Sequence, residues 1–591
     1  MQSPGNFHLQ KGRSATVEAL FYVCFAIVVF FLYSKTFQSP IIFDDWYHIE
    51  ANPHIQISSL SWDAIKAAAF ESPLKHRPVP YITLALNYYY DGFNLAGYHL
   101  FNILIHLAAG IFLYMFLKTT VLLQRGEKEA VTVCWLSFTA VMIWLVHPLH
   151  IQSVTYIIQR MNSMAAMFYI LSLLLYVRGR LVKGHVKQSV LFLGSLFSGL
   201  LALGSKENAA TLPFFILLYE WYFFQDLRLD WLRKRLLPIL GVLFLLACIA
   251  IFFLGLHPLA SIMKGYGSRD FTMEQRVLTE IRVVLFYISL LFLPYPARLN
   301  LDHDFNLSLS LLNPPATFLS LCVLAGLFCL AIILGKRERI VSFSILWFLG
   351  NLIIESSVIG LEIIFEHRTY LPSMLPVLAL VMTGSRIPAK RWMQVLAATL
   401  IVLLFSAWTY QRNLVWQDEV TLRRDAAAKA PVKPRALAIL ANALERKGQF
   451  EEAAYYYNET LNLNPRNADE IHFNLGNVYV AQRKLPEAVL HFREAVSLSP
   501  ETAIMRLNLA NALSVQGQFY EAYKELKELI RQHPEEPRAH NNLGVLLMQQ
   551  GRFEEAALQF SQALKLVPNY RNARINLEIA LRNLQKKTSQ Q

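Results

Sequence analysis

Two adjacent carboxylates, Asp44 and Asp45, stand about ten residues beyond an apolar run, in the stretch IIFDDWYHIEANPHI. A carboxylate pair can act as a general base or as metal ligands. Other polar groups recur at the ends of apolar runs. They are HRP at His76 to Pro78, HPLH at His147 to His150 followed by Gln159, Arg160 and Asn162, SKEN at Ser205 to Asn208, LNLDHD at Leu299 to Asp304, and FEHRTYLP with Glu366, His367 and Arg368. Arg77, Arg160, Lys206 and Arg368 suit a phosphate or pyrophosphate, which guanidinium and ammonium groups hold by charge-assisted hydrogen bonds. Asp44 and Asp45 are the candidate catalytic pair. His76, Arg77, His147, Arg160, Lys206, Glu207, Asp302, Glu366, His367 and Arg368 are the candidate substrate- and phosphate-binding set. Each motif also has a bland reading: a solvated loop for the aspartates, a helix start for HRP, a local ion pair for Lys206 and Glu207, satisfied interfacial histidines for His147 and His150. Scattered histidines show no zinc-ligand spacing, so a divalent metal is not indicated.

The elements that must position these groups are apolar helices. Of 591 residues, 54% are hydrophobic and only 16% charged, as in a polytopic membrane protein with a smaller soluble part. Runs long enough to span lie at 16–34, 98–117, 131–146, 163–177, 188–204, 208–225, 237–256, 316–335, 341–360, 371–385 and 392–410. The formal charge of +13 sits largely between these runs, which points to cytoplasmic loops rather than to nucleic acid. Lys11/Arg13, Lys118/Arg125/Lys128, Arg178/Arg180/Lys183/Lys187, Arg228/Arg233/Lys234/Arg235, Lys336/Arg337/Arg339 and Arg386/Lys390/Arg391 fall in every second gap. On that reading the first run is an uncleaved span, and 35–97 is the first external loop. The segment 276–294, which carries Glu280 and Arg282, is an interfacial or re-entrant helix. All the polar motifs then share the non-cytoplasmic face. Intramembrane or boundary ionisable groups are costly, so their convergence on one face argues for a single site. The five cysteines all lie in apolar runs and form neither a disulfide framework nor a metal spacing.

After about Trp416 the pattern changes to a repeat. LANALERKGQFEEA, LGNVYVAQRKLPEA, LANALSVQGQFYEA and LGVLLMQQGRFEEA align, and their closing prolines Pro465, Pro500, Pro534 and Pro568 are 35, 34 and 34 residues apart. That is the period of the tetratricopeptide repeat, a helix–turn–helix unit that buries its apolar face only by stacking. Repeats are expected at 433–465, 467–500, 501–534 and 535–568, with a capping helix at 572–587. The predicted fold class is therefore all-α: a membrane bundle of about 11 spans over 1–412 and an α-solenoid over 413–591. Such arrays bind peptides or proteins far more often than they catalyse.

Taken in order, FDDWYHIEANPHI, HRPVPYITLALNYYYDGFNLAGYHLFNILIHL, WLVHPLHIQSVTYIIQRMNSMAA, LGSKENAATLP, RLNLDHDF and EHRTYLPS, followed by the repeats, resemble the transmembrane-and-tetratricopeptide-repeat O-mannosyltransferases, closest to bacterial members. The resemblance covers nearly the whole chain. It implies a type-C glycosyltransferase with its active site on the lumenal or periplasmic side. It further implies a sugar donor on a polyprenyl phosphate and a Ser/Thr acceptor on protein. Asp44 or Asp45 would deprotonate the acceptor hydroxyl in an inverting displacement. The sequence departs from the eukaryotic pattern at Gln152 and Asn162, where acids are common. The resemblance also implies a bacterial inner membrane, with the active face and the repeats periplasmic. It does not fix the sugar as mannose.

Three functions compete. The first is a glycosyltransferase using a lipid-linked sugar donor and an acceptor protein held by the repeats. The second is a non-catalytic membrane-anchored scaffold for envelope assembly, for which one span would suffice. The third is a transporter, which needs ionisable groups near mid-membrane; Glu220 and Glu355 are the nearest, and most of the polar set lies at one end instead.

Overall fold

The computed structural model describes residues 13–255, 257–267 and 269–590. Among them the fold is all-helical, with no strand. Lys11 lies outside the described residues. The chain divides into two compact units, Met1–Leu422 and Arg423–Gln591.

Among the described residues of the first unit, six helices are long and apolar enough to cross a membrane: Leu95–Arg125, Glu127–Leu145, Ile157–Leu181, His185–Leu203, Ala316–Leu334 and Arg391–Val415. Four shorter apolar helices accompany them, at Thr16–Leu32, Ile239–Phe253, Arg339–Leu352 and Met374–Gly384. The expected span at 208–225 is composite: a 3-10 turn over Glu207–Thr211, an α-helix over Leu212–Tyr219 and a π-turn over Glu220–Phe224.

One expected span ends early. The helix predicted over 341–360 stops at Leu352. Beyond it Glu355 is drawn to the Lys206 ammonium at 2.5 Å. The Arg276 guanidinium takes the Glu355 carbonyl at 2.7 Å, and also those of Ser357 (3.2 Å), Leu361 (2.5 Å) and Glu362 (3.0 Å). An irregular segment beside the membrane must have its carbonyls satisfied, and Arg276 takes four of them here, with Arg269 and Arg368 taking others.

Arg276 sits on the Met273–Phe292 helix, the segment set apart as interfacial or re-entrant. A capping box starts it: the Thr272 hydroxyl accepts from the Gln275 N–H at 3.2 Å, and the Gln275 side-chain Oε1 accepts from the Thr272 N–H at 3.0 Å. Arg276, Thr279, Glu280, Val283, Tyr287 and Leu290 form one buried stripe at helical spacing.

In the second unit, helix pairs repeat as Pro434–Arg446 with Phe450–Asn462, Ala468–Ala481 with Leu485–Leu498, Ala503–Val515 with Phe519–Gln532, and Pro537–Gln549 with Phe553–Leu566. A last helix, Arg571–Gln590, closes the array. Ala453, Ala488, Ala522 and Ala556 are fully buried at the close approach of paired helices. The inter-helix turn needs a left-handed residue. Gly448, Gly517 and Gly551 supply φ of +74°, +83° and +74°, and Arg483 is held at +61° where the second repeat lacks glycine. Along the array, carboxamides link neighbouring repeats: Asn474 donates to Asn442 (3.3 Å), Asn508 to Asn477 (3.0 Å), Asn542 to Asn511 (2.7 Å) and Asn576 to Asn541 (3.1 Å).

Candidate active site

The two aspartates have opposite surroundings. Asp45 is fully buried. Its Oδ1 accepts from the Ile158 N–H at 2.7 Å and its Oδ2 from the Ile42 N–H at 3.3 Å. Burial pushes its carboxyl up, the two peptide donors pull it back, and the net position is about 8. Asp44 is exposed, and only its backbone N–H is committed, to the Tyr156 hydroxyl at 2.9 Å. Asp45 thus pins the 42–45 turn to the 156–158 segment and leaves the Asp44 carboxylate facing outward.

His48 stands within the field of both Asp44 and Arg77 and shares a 2.7 Å hydrogen bond with the Tyr81 hydroxyl. Burial first, and Arg77 in support, hold its imidazole below the ordinary range against the pull of Asp44, which favours the neutral ring.

Arg77 owes its place to Pro78. A residue before proline avoids the helical region, and proline is well suited to the first helical position, so Arg77 sits outside the helical region, at φ −119° and ψ 57°, before the Pro78–Asp91 helix. Its Nε lies 3.0 Å from both Glu207 oxygens, and its Nη2 lies 2.7 Å from Oε2. His76 Nε2 meets Glu207 Oε1 at 2.7 Å. Burial pushes the Glu207 carboxyl up, but the Arg77 charge and the His76 and Arg77 hydrogen bonds outweigh it, and the group stays well below the usual carboxylate range. Among the described residues, the hydrogen-bond partner of Arg77 Nη1 is the Met161 thioether alone, at 3.4 Å.

Deeper in, Lys206 pairs with Glu355 and donates to Asn162 Oδ1 at 3.0 Å. Burial draws the Lys206 ammonium below its ordinary value, against the Glu355 charge. Asn162 donates to the His367 carbonyl at 2.7 Å, and the His367 N–H reaches Gln152 Oε1 at 3.4 Å. Gln152 donates to the Asn300 carbonyl at 3.0 Å, and the Asn300 N–H donates to Glu366 Oε1 at 2.6 Å. His303 completes this arm, 2.9 Å from Glu366. Asp302 adjoins it through its backbone, which the Asn300 side chain holds at 3.0 and 3.4 Å. Arg368 reaches the Glu362 and Ile363 carbonyls at 2.6 and 2.9 Å. Glu280, buried beneath, faces Arg276 at 2.8 Å and Arg368 at 3.6 Å.

The structure therefore joins Lys206, Glu366, His367 and Asp302 into one network, with Glu207, His76 and Arg77 at its partly open rim and Arg368 at its base. It places two predicted residues elsewhere. Arg160 donates to Asn102 (2.7 Å), Asn87 (2.6 Å), Thr83 (3.2 Å) and the Tyr98 carbonyl (2.9 Å), so it clamps two helices together. His147 Nε2 is 3.1 Å from the Leu291 carbonyl, and its Nδ1 accepts from the Leu149 N–H at 3.3 Å. Sequence reasoning did not assign Arg276, Glu280 or Glu355 to the site. Among the described residues, no group of three or more His, Cys, Asp or Glu side chains is arranged to hold a metal ion.

Tetratricopeptide-repeat family models match residues 507–571, 441–483 and 469–502. Curated relatives reach into the membrane unit as well. The chain is 25% identical to protein O-mannosyl-transferase TMTC1 of Homo sapiens over 76% of its own length and 55% of that protein. It is 22% identical to protein O-mannosyl-transferase Tmtc3 of Drosophila melanogaster, over 81% of its length and 59% of that protein. It is 24% identical to protein O-mannosyl-transferase F38B6.6 of Caenorhabditis elegans, over 77% and 64% respectively. The chain thus spans little more than half the length of the first two of these relatives. Among solved structures, YrrB, a tetratricopeptide protein with an unusual peptide-binding site, is 22% identical at a TM-score of 0.25, covering 29% of this chain and 84% of YrrB.

Proposed function

We propose that this chain is a membrane glycosyltransferase that moves a sugar, mannose or another hexose, from a polyprenyl-phosphate donor to Ser/Thr hydroxyls of an exported protein. The observation that carries this reading is the division of labour between the aspartates. A buried Asp45 fixes a turn that presents an exposed Asp44 carboxylate near His48, whose ring also lies in the field of the rim arginine Arg77. The names of the curated relatives support the same reaction class.

In the proposed step, Asp44 takes the proton of the acceptor hydroxyl as that oxygen attacks the anomeric carbon. The bond from that carbon to the phosphate oxygen breaks, the lipid phosphate leaves with the bonding pair, and the anomeric centre inverts. Arg77 is oriented by Glu207 through Nε and Nη2, which leaves Nη1 for a phosphate oxygen. A fixed donor aimed at developing charge is where electrostatic catalysis gains most. Lys206 and Arg368 stay committed to Glu355 and to the 362–363 carbonyls, so they shape the floor of the site. The donor's tail remains in lipid, which suits a site at the membrane boundary. The reading places the protein in a bacterial inner membrane with the site and the repeats periplasmic. The acceptor docks on the repeat array, where the inter-repeat asparagines retain amide groups able to bond an extended backbone.

The test is mass spectrometry of envelope glycopeptides from cells carrying the wild-type chain, Asp44→Asn, or no gene. Hexose-type adducts on specific Ser/Thr residues should appear with wild type alone. Adducts undiminished in the gene's absence would refute the enzyme reading.

A further inference from the structure

A cavity of about 420 Å³ lies at the end of the membrane unit opposite Asp44 and Arg77. The helix directions establish this. The Leu95–Arg125 helix begins where Tyr98 and Asn102 hold Arg160, and it reaches the cavity at its C-terminus. Its 31 residues correspond to about 46 Å at 1.5 Å per residue. The Arg339–Leu352 helix runs back from the cavity to Asn351, which accepts from Thr211 at 2.8 Å in the turn that begins at Glu207.

The cavity has an apolar floor and a cationic rim. Leu123, Phe223, Ile340 and Met382 form the floor. Arg125, Lys336, Arg337, Arg339 and Arg386 stand around it with a single acid, Glu338, a net of +4 from five cations less one anion. Arg125 pairs with Glu129 at 3.1 Å and Arg339 with Asp226, which lowers the net to +2. Arg386 is turned to Glu338 at 2.7 Å. Lys336 and Arg337 are exposed and have no acidic partner among the described residues. A general excess of basic residues in loops accounts for their number. It does not account for their closing around a recess floored by leucine, phenylalanine, isoleucine and methionine.

We propose that this cavity binds the phosphodiester headgroup of an anionic phospholipid from the leaflet at that end of the bundle. Basic recesses between spanning helices suit such headgroups, and the apolar floor favours an amphiphile over a free anion. Lys336 and Arg337 supply the uncommitted charge. The site is independent of the transfer reaction proposed above.

The purified full-length chain is titrated in detergent with phosphatidylglycerol, phosphatidylcholine or glycerol phosphate, and adducts are counted by native mass spectrometry. Phosphatidylglycerol should be preferred over phosphatidylcholine by about tenfold or more, since each basic residue near an anionic headgroup adds appreciable affinity. Lys336→Gln/Arg337→Gln removes two exposed, partnerless charges, so the fold is retained, and affinity should fall on the order of tenfold or more. The control Lys183→Gln/Lys187→Gln removes the same charge from the 183–187 segment, at the start of the His185–Leu203 helix, which does not line the cavity. It should stay within about twofold of wild type, because screening limits charge effects to about 8–10 Å. An equal loss in the control, no preference between the two lipids, or displacement of the lipid by glycerol phosphate at comparable concentration would each overturn the proposal.

Discussion

Replacing Asp45 by Asn is the substitution that best separates a buried structural carboxyl from an exposed base. The Asp45 carboxyl is moved from 3.8 to about 8. At about 1.36 kcal/mol per unit, a rise of roughly four units is worth on the order of 6 kcal/mol. The sign follows from where the proton is held more tightly. The folded value lies above the unfolded one, so the contribution is fully present below about pH 4, is lost as pH rises through about 8, and changes no further above that. At pH 7 roughly three units, on the order of 4 kcal/mol, have already been lost. Asparagine does not titrate. Its carbonyl can accept from the Ile158 N–H, but its amide group faces the Ile42 N–H at 3.3 Å and forfeits one weak hydrogen bond, about 1 kcal/mol. The variant should therefore be slightly less stable than wild type near pH 4 and more stable by a few kcal/mol at about pH 8. Thermal unfolding of the detergent-solubilised chain from pH 5 to 9, followed by tryptophan fluorescence, reads this difference. Asp45→Asn should keep transfer within about tenfold, whereas Asp44→Asn should lose on the order of 10²- to 10⁴-fold. A flat stability difference between pH 5 and 8 would show that Asp45 is already ionised in the fold. Loss of transfer on Asp45→Asn with retention on Asp44→Asn would reverse the assignment of the base.

Lys206→Met leaves the Glu355 carboxylate buried without its 2.5 Å partner and should destabilise the membrane unit by about 3–5 kcal/mol. Lys206→Met with Glu355→Leu should recover most of that loss, read as a double-mutant cycle in thermal unfolding. Arg77→Lys keeps the charge but cannot hold both Glu207 oxygens and the donor phosphate with one planar fork, so the KM for the lipid donor should rise by about tenfold with a smaller change in kcat. Gly544→Ala would put a Cβ 2.6 Å from the Phe560 ring and should cost the repeat unit about 1–3 kcal/mol in a denaturant melt.

How much of this was legible in the sequence depends on the range of the interaction involved. The repeats were readable because their rules are local: a proline every 34 or 35 residues, a small residue at each helix contact and a left-handed turn between helices. Arg483 shows the limit of that rule, since the turn forms without glycine when the flanking helices over-determine it. The motifs HRP and EHRTYLP were readable as charged groups at span ends, because arginine is conspicuous in apolar surroundings. Arg160 and Arg368 carry the same conspicuousness, yet one clamps two helices and the other braces a loop. Charge type says that a partner exists and not which one. Glu280 was legible only as an anomaly in an apolar helix, because its second partner, Arg368, is 88 positions away. Gln152 and Asn162 gave a weaker signal still, being uncharged where the eukaryotic pattern has acids, and they prove to be the links that carry the network from Glu366 to Lys206. Their neutrality has a consequence. A carboxylate at position 162 would sit between Lys206 and the His367 carbonyl and compete with Glu355 for the ammonium. With asparagine there, Lys206 donates to a neutral oxygen at 162 and keeps Glu355 as its carboxylate partner, the 353–365 loop is drawn toward Lys206, and Arg77 is the rim cation that the proposed reaction would set against the phosphate.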